Sequence, residues 1–193
     1  LPKFANLGLA YMARFNHLMK PFDNVKVRQA VLAAFNQEPF LRAQVGVKEL
    51  YKTCPSMFIC GTPFGTAAGS DIQAKGNMKK AQELLKASGY DGTPIIVMKP
   101  TDLASIQKLP DVAAQLLRQA GFKVDLQAMD WQSLVGRRAK KDGWHMFLTA
   151  WQAFDVWNPI SNPAMDTRGE KSTWFGWATD EKMVELRNQF MRA

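Results

Sequence analysis

Hydrophobic and polar positions along the chain follow helix and strand periods most clearly between residues 77 and 152. Asn77 precedes a segment whose apolar side chains recur at helical spacing, and "SGYDG" ends that segment. A short apolar run, "PIIVM", predicts a strand, and "LPDVAAQLLRQAG" predicts a second helix that stops at Gly121. The run "FKVDLQAM" alternates with a period of two residues, Asp130 is placed to cap a third helix, and "HMFLTAW" predicts another strand.

This order of strand, helix, strand, helix, strand predicts an α/β fold. Strands separated by helices of this length normally lie parallel and are joined by right-handed crossovers. The pattern therefore indicates a mainly parallel sheet flanked by helices.

The flanking segments add further elements and two long irregular stretches. A strand is predicted over Leu7 to Phe15, and "PFDNVKVRQAVLAAF" predicts a helix with Asp23 as its cap. A short helix follows over roughly Glu38 to Gln44, and Thr179 begins a last amphipathic helix. Residues 46–76 and 158–178 are rich in loop-forming residues and predict long irregular loops.

Length and composition are those of a single folded domain over residues 1–193. The chain is 47% apolar and 22% charged, and no apolar run approaches the roughly 20 residues that cross a membrane. The first residues do not form an intact signal peptide, and the last predicted helix lacks a stop signal. We expect a domain cut from a longer protein.

The net charge of +8 changes this prediction little. Basic residues are spread along the chain and cluster only in "GRRAKKDG", which is typical of the solvated face of a helix. A nucleic-acid-binding module stays an alternative, but the charge favours no particular partner.

The two cysteines bracket "PSMFI" in the first loop, where a disulfide between Cys54 and Cys60 would hold a segment without regular structure. The spacing differs from that of Cys-x-x-Cys redox sites, and His17 and His145 lie far away in sequence. We therefore predict a disulfide, no metal site and an oxidising compartment.

The segment "TAWQAFDVWNP" holds the strongest candidates for a binding site. Ligands of open α/β sheets bind outside the carboxyl ends of the strands. Trp151, Phe154, Asp155 and Trp157 follow such a strand, and tryptophans with one carboxylate suit an amine or a row of hydroxyls. Packing within the core and backbone hydrogen bonds of the loop are the alternative for these residues. Lys99, before Pro100 at another strand end, is a candidate partner for a ligand carboxylate or an ordinary solvated lysine.

No sequence signature of an enzyme is present. The chain contains no Gly-x-Ser-x-Gly, no phosphate-binding glycine loop and no His-Glu-x-x-His. A binding protein without a cofactor explains the residues with fewer assumptions than a secreted hydrolase that uses Asp155, which is kept as an alternative.

Several motifs in order resemble the bacterial extracellular solute-binding proteins of family 5, the peptide and nickel type. The most specific is "FNHLMKPFDNVKVRQAVLAAFNQEPFL", supported by "CGTPFGTAAG", "MKKAQELLKASGYDG", "LLRQAGFKVDLQAMDWQSLVGRRAKKDGWHMFLTAW" and "WFGWATDEKMVELRNQ". The resemblance implies a periplasmic-binding-protein-like fold and the C-terminal lobe of a two-lobe protein, without its N-terminal lobe. It also implies hinge closure around a peptide or similar solute, ABC transporter membrane subunits as partners, and a periplasmic location or a cell-surface lipoprotein.

The same resemblance bears on the candidate residues. Trp151 matches the family's tryptophan, whereas Ala150 replaces the usual glycine and Asn158-Pro159 replaces an Asp-Pro step at a different spacing. The family's aspartate for a ligand amine corresponds most nearly to Asp155. Lys99 stands where peptide-binding members carry a basic residue for a ligand carboxylate.

Overall fold

The strands in the described residues form one four-stranded sheet in the order β1-β4-β2-β3. A computed structural model of the chain describes residues 8–70 and 76–193. The strands are β1 (Leu9–Phe15), β2 (Ile95–Pro100), β3 (Val124–Met129) and β4 (Met146–Gln152). β2 pairs in parallel with both β3 and β4, as the strand and helix order predicts. β1 is antiparallel to β4 and pairs Leu9 with Gln152.

Six α-helices accompany the sheet in the described residues, together with four short 3₁₀ segments. They are α1 (Val25–Ala34), α2 (Gln37–Gln44), α3 (Met78–Ala87), α4 (Leu109–Ala120), α5 (Trp131–Arg138) and α6 (Glu181–Arg192). The 3₁₀ segments are Lys48–Leu50, Ala153–Val156, Pro163–Met165 and Gly169–Lys171. The α/β fold is therefore confirmed, with long irregular loops in the described residues. Leu7 of the first predicted strand and residues 71–75 of the first predicted loop lie outside the described residues.

Local capping residues account for most helix boundaries. The side chains of Asn77 and Asp130 accept a hydrogen bond from the backbone N–H of the third residue of α3 and of α5, and Gly121 ends α4 in the left-handed conformation. Two predicted starts are wrong by a residue or two. Asn24, and not Asp23, caps α1, and Asp180 caps α6.

Two apolar clusters cover the opposite faces of the sheet, because strand side chains alternate between faces. The first cluster joins α1, α3 and α4 to Ile95, Val97 and Leu148. The second cluster contains Met98 and Phe147 from the same strands, packed with residues of α5 and with the tryptophans of the loop before α6. The sheet is thus a divider between two separately packed faces.

Both histidines are accommodated within the fold. Buried His145 accepts a hydrogen bond at Nδ1 from the Ile96 N–H (3.0 Å), so Nε2 carries the proton and donates to the Lys20 carbonyl (2.7 Å). Burial lowers the pKa of both rings, that of His17 to about 4, with Arg28 and Arg14 adding to the effect.

Candidate functional site

The predicted site begins where β4 ends in the 3₁₀ turn Ala153–Val156. Ala153 and Val156 point inward and are buried, so the intervening Phe154 and Asp155 are exposed. Phe154 is 53% exposed and stacks on Trp157, with ring centroids 6.4 Å apart and planes 15° apart. Within the described residues the side-chain carboxylate of Asp155 has no hydrogen-bond or ion-pair partner. The turn thus presents a flat aromatic pair beside an open carboxylate.

Trp157 also connects this turn to the first irregular loop. Its ring lies 5.3 Å from that of Phe64, which contacts Phe58 at 6.4 Å and Phe190 of α6 at 5.4 Å. These contacts hold the end of β4, the loop and the last helix together by aromatic packing.

Trp151 occupies a different environment from Phe154 and Trp157. Its ring packs edge-on against Trp174 at 5.7 Å, within the second apolar cluster. The indole Nε1 is buried and has no acceptor among the described residues. Trp151 is therefore half-buried packing on one face of the sheet, at the base of the exposed turn.

Lys99 lies apart from these aromatic residues. Its ammonium group contacts both carboxylate oxygens of Asp111, in the first turn of α4, at 2.7 Å. Lys99 shares a sheet face with Val97 and α4, whereas Trp151 lies on the face of Met98 and Trp174. The structure brings Phe154, Asp155 and Trp157 together and leaves Lys99 on the other face of the sheet, paired with Asp111.

The inner side of the turn borders a cavity that the sequence did not predict. A cavity of about 920 Å³ lies between β1, α2 and loop residues 51–61, and Ala153 and Val156 form part of its wall. This size falls in the range of small-molecule sites. Its walls come from four separate parts of the chain, so no local sequence pattern predicts the cavity.

The loop that forms one wall carries the predicted disulfide. Cys54 and Cys60 are joined, with Cα atoms 5.7 Å apart. The Gln37 side chain forms two hydrogen bonds with the Cys54 backbone, donating from Nε2 to the carbonyl (2.8 Å) and accepting at Oε1 from the N–H (2.7 Å). The disulfide and the Gln37 amide together hold the loop against α2.

A buried carboxylate, that of Asp166, fixes the irregular stretch after β4. Asp166 accepts bonds from Arg168 at 2.7 and 2.8 Å and from the backbone N–H of Thr173 at 2.8 Å. The Arg168 guanidinium, with Thr173, holds the pKa of Asp166 well below its usual range despite burial. Nearby, burial lowers the pKa of Arg14 to about 10, and attraction to Asp166 opposes that shift. Because Thr173 directly precedes Trp174, this network anchors the segment that carries that tryptophan.

Among the described residues no group of three or more His, Cys, Asp or Glu side chains is arranged to hold a metal ion. In the same part of the chain, no helix combines the length and apolar character that a membrane span requires.

Comparison with known proteins establishes the family of this chain. The family described as "Bacterial extracellular solute-binding proteins, family 5 Middle" matches residues 3–173, and the chain belongs to it. The predicted resemblance is confirmed.

Individual relatives agree with the family match. The chain is 33% identical over 195 residues to the "Probable peptide ABC transporter periplasmic-binding protein y4tO" of Sinorhizobium fredii, covering 95% of this chain and 36% of that protein. It is 31% identical over 144 residues to the glutathione-binding protein GsiB of Salmonella typhimurium, covering 72% of this chain and 27% of that protein. The chain thus spans between about a quarter and slightly more than a third of the length of these relatives, which are named as binding proteins and not as enzymes.

The fold also matches solved structures. NikA of Staphylococcus aureus, crystallised with Ni(L-His)₂, superposes with a TM-score of 0.76 at 16% identity, covering 95% of this chain and 38% of that chain. At this identity the likeness shows the shared fold alone.

Proposed function

We propose that this chain is the C-terminal lobe of a two-lobe solute-binding protein that captures a small peptide or similar amphipathic solute by hinge closure. The other lobe, from the same polypeptide, supplies the opposite half of the cleft. The complete protein delivers its solute to the membrane subunits of an ABC importer, from the periplasm or as a cell-surface lipoprotein.

The observation that carries the proposal is the edge at the end of β4. The exposed Phe154 ring, stacked on Trp157, lies beside the open carboxylate of Asp155. An apolar wall with one negative charge suits the amine end of an amphipathic solute. The names of the relatives, a peptide-binding and a glutathione-binding protein, support the same class of solute.

Lys99 takes a secondary part in this proposal. Its ammonium group is paired with Asp111, so a ligand carboxylate would have to share Lys99 with that residue. Phe154, Asp155 and Trp157 are the residues that we propose meet the solute first, and Trp151 supports their turn from below.

Native mass spectrometry of the full-length protein, purified under mild conditions, tests the proposal. We expect a bound species of low mass that is released on denaturation and raises the melting temperature when it is added back. Turnover of the released solute would favour the hydrolase alternative. Steeply salt-dependent binding of nucleic acid in place of a solute would favour the nucleic-acid module.

A further inference from the structure

The two cysteines of the disulfide loop, residues 51–61, differ in exposure. Cys60 is exposed to solvent, whereas Cys54 is half-buried. A thiolate breaks a disulfide by attacking one sulfur and expelling the other, and the rate depends on access to the sulfur that is attacked. The difference in exposure therefore favours attack on Cys60 and departure of Cys54.

The sulfur of Cys54 already accepts a hydrogen bond. The backbone N–H of Cys60 donates to Cys54 Sγ, with the nitrogen 3.1 Å from the sulfur. A hydrogen bond of this kind stabilises a thiolate, and a disulfide breaks faster when the departing thiolate is the more stable one. The local hydrogen bonding thus favours the same direction of cleavage as the exposure of the two residues.

Cys54 is also anchored independently of the disulfide. Gln37 Nε2 donates to the Cys54 carbonyl at 2.8 Å, and Gln37 Oε1 accepts from the Cys54 N–H at 2.7 Å. In the described part of the chain, the Cys60 backbone forms no comparable hydrogen bond to α2. Opening of the disulfide therefore leaves Cys54 in place and allows Cys60, with any group attached to it, to turn outward into solvent.

We propose that Cys60 is a site of reversible modification by small thiols. A thiolate RS⁻ forms a bond to Cys60 Sγ while the Cys54–Cys60 bond breaks, and Cys54 departs with the electron pair as a thiolate. The product is the mixed disulfide Cys60–S–S–R, and the proton that the thiol lost returns to the Cys54 sulfur or to water. In the reverse step the Cys54 thiolate attacks Cys60 Sγ and expels RS⁻. One disulfide is exchanged for another, so neither direction consumes a further oxidant or reductant.

Modification of Cys60 removes a covalent restraint from the disulfide loop. Ile59 and Cys60 form part of the wall of the cavity between β1, α2 and this loop. Because Cys54 and Cys60 are the two cysteines of the chain, the loop has no other crosslink to replace the one that opens. Residues 55–60 then regain conformational freedom, while Gln37 keeps Cys54 beside α2.

The test is peptide mapping of the full-length protein after brief exposure to excess 2-mercaptoethanol. The reaction is stopped with acid, free thiols are blocked with N-ethylmaleimide, and tandem mass spectrometry assigns each group to Cys54 or Cys60. We expect the mercaptoethanol group on Cys60 and the maleimide on Cys54, in about tenfold excess over the reverse arrangement at early times. Because 2-mercaptoethanol is neutral, the carboxylate of Asp155 does not recruit it by charge.

One substitution removes the anchor of Cys54 and a matched substitution does not. Gln37→Ala deletes both hydrogen bonds to the Cys54 backbone, so either sulfur can turn outward. This variant should lower the preference for Cys60 by about threefold or more, because access then differs less between the two sulfurs. Gln82→Ala removes a single exposed bond to the Gln119 carbonyl and should leave the preference unchanged.

Equal modification of the two cysteines, or modification mainly of Cys54, overturns the proposal. It is also overturned if the disulfide stays intact under conditions that fully modify the urea-unfolded protein, since Cys60 would then be shielded in the complete protein. A preference for Cys60 that Gln37→Ala leaves unchanged overturns the anchoring role of Gln37. Solute capture is read separately by native mass spectrometry, so a protein that carries no solute but is modified at Cys60 keeps this proposal and loses the proposed function.

Discussion

Gly176 lies directly against the backbone of Phe15 at the end of β1. A Cβ atom on Gly176 would be 2.4 Å from the Phe15 carbonyl oxygen and 2.6 Å from Arg14 Nε. Its φ angle of 101° is also in the region that favours glycine. The loop that carries the tryptophans of the second cluster therefore packs directly against the end of β1, with no room for a side chain between the two backbones.

Gly176→Ala is expected to lower the free energy of unfolding by about 2–4 kcal/mol, because both the clash and the backbone angle oppose a side chain. Chemical denaturation measures this change. Gly136→Ala in α5 is the matched control, since its Cβ would meet nothing within 4 Å and alanine favours the helix. If Gly176→Ala lowers the free energy of unfolding by no more than Gly136→Ala changes it, the close packing of Gly176 on Phe15 is contradicted.

Asp166→Asn is expected to destabilise the protein by about 2–4 kcal/mol, because Arg168 and Thr173 lose the buried carboxylate that they share. The measurement is urea unfolding at neutral pH. Glu170→Gln removes an exposed carboxylate paired with Lys141 and should change stability by less than about 1 kcal/mol. Equal effects of the two substitutions would show that the Asp166 network is not structural.

Stability is expected to fall as the pH decreases from about 6.5 toward 4. The folded protein keeps His17 and His145 neutral because burial lowers their pKa, whereas the unfolded chain binds protons at both near pH 6.5. The loss between pH 7 and 5 should be about 1–3 kcal/mol, after allowance for the partial exposure of His17. His17→Gln should make this dependence shallower in denaturation curves at the two pH values. An unchanged dependence of stability on pH would mean that His17 has the same pKa in the folded and the unfolded protein.

Replacing Cys54 and Cys60 together by serine should cost about 2–3 kcal/mol, because the unfolded chain regains the freedom that a short crosslinked loop removes. Gln37→Ala should cost about 1–2 kcal/mol, since two hydrogen bonds to the Cys54 backbone are lost. Thermal unfolding measures both. Gln82→Ala, which removes a single exposed bond to the Gln119 carbonyl, is the control and should change little.

Asp155→Asn in the full-length protein should weaken binding of an amine-bearing solute about tenfold, because a charge-assisted hydrogen bond contributes about 1.5–3 kcal/mol. Calorimetry with the solute found by mass spectrometry measures the change. Asp142→Asn, at an exposed position before Gly143, gives the protein the same net charge as Asp155→Asn and should have no effect on binding. Equal affinities of the two variants would remove Asp155 from the proposed site.

Local patterns in the sequence determined the secondary structure and the class of fold. Asn77, Gly121 and Asp130 end or begin their helices as predicted, because capping depends on atoms a few residues apart. The predicted cap Asp23 is wrong, because the adjacent Asn24 has a side chain with the same capping chemistry and occupies the cap position. The predicted disulfide also followed from local spacing, and it is present.

Tertiary structure alone decided which predicted site residues meet. Strand alternation and pairing place Lys99 beside Asp111 on one face and Trp151 against Trp174 on the other. The antiparallel pairing of β1 with β4 joins residues more than 130 positions apart, and the cavity joins both strands to α2 and the disulfide loop. Residues at a strand end can be identified from the sequence as the edge where a ligand can bind. Which face of the sheet is covered by helices and loops depends on long-range packing, which the local hydrophobic pattern does not contain.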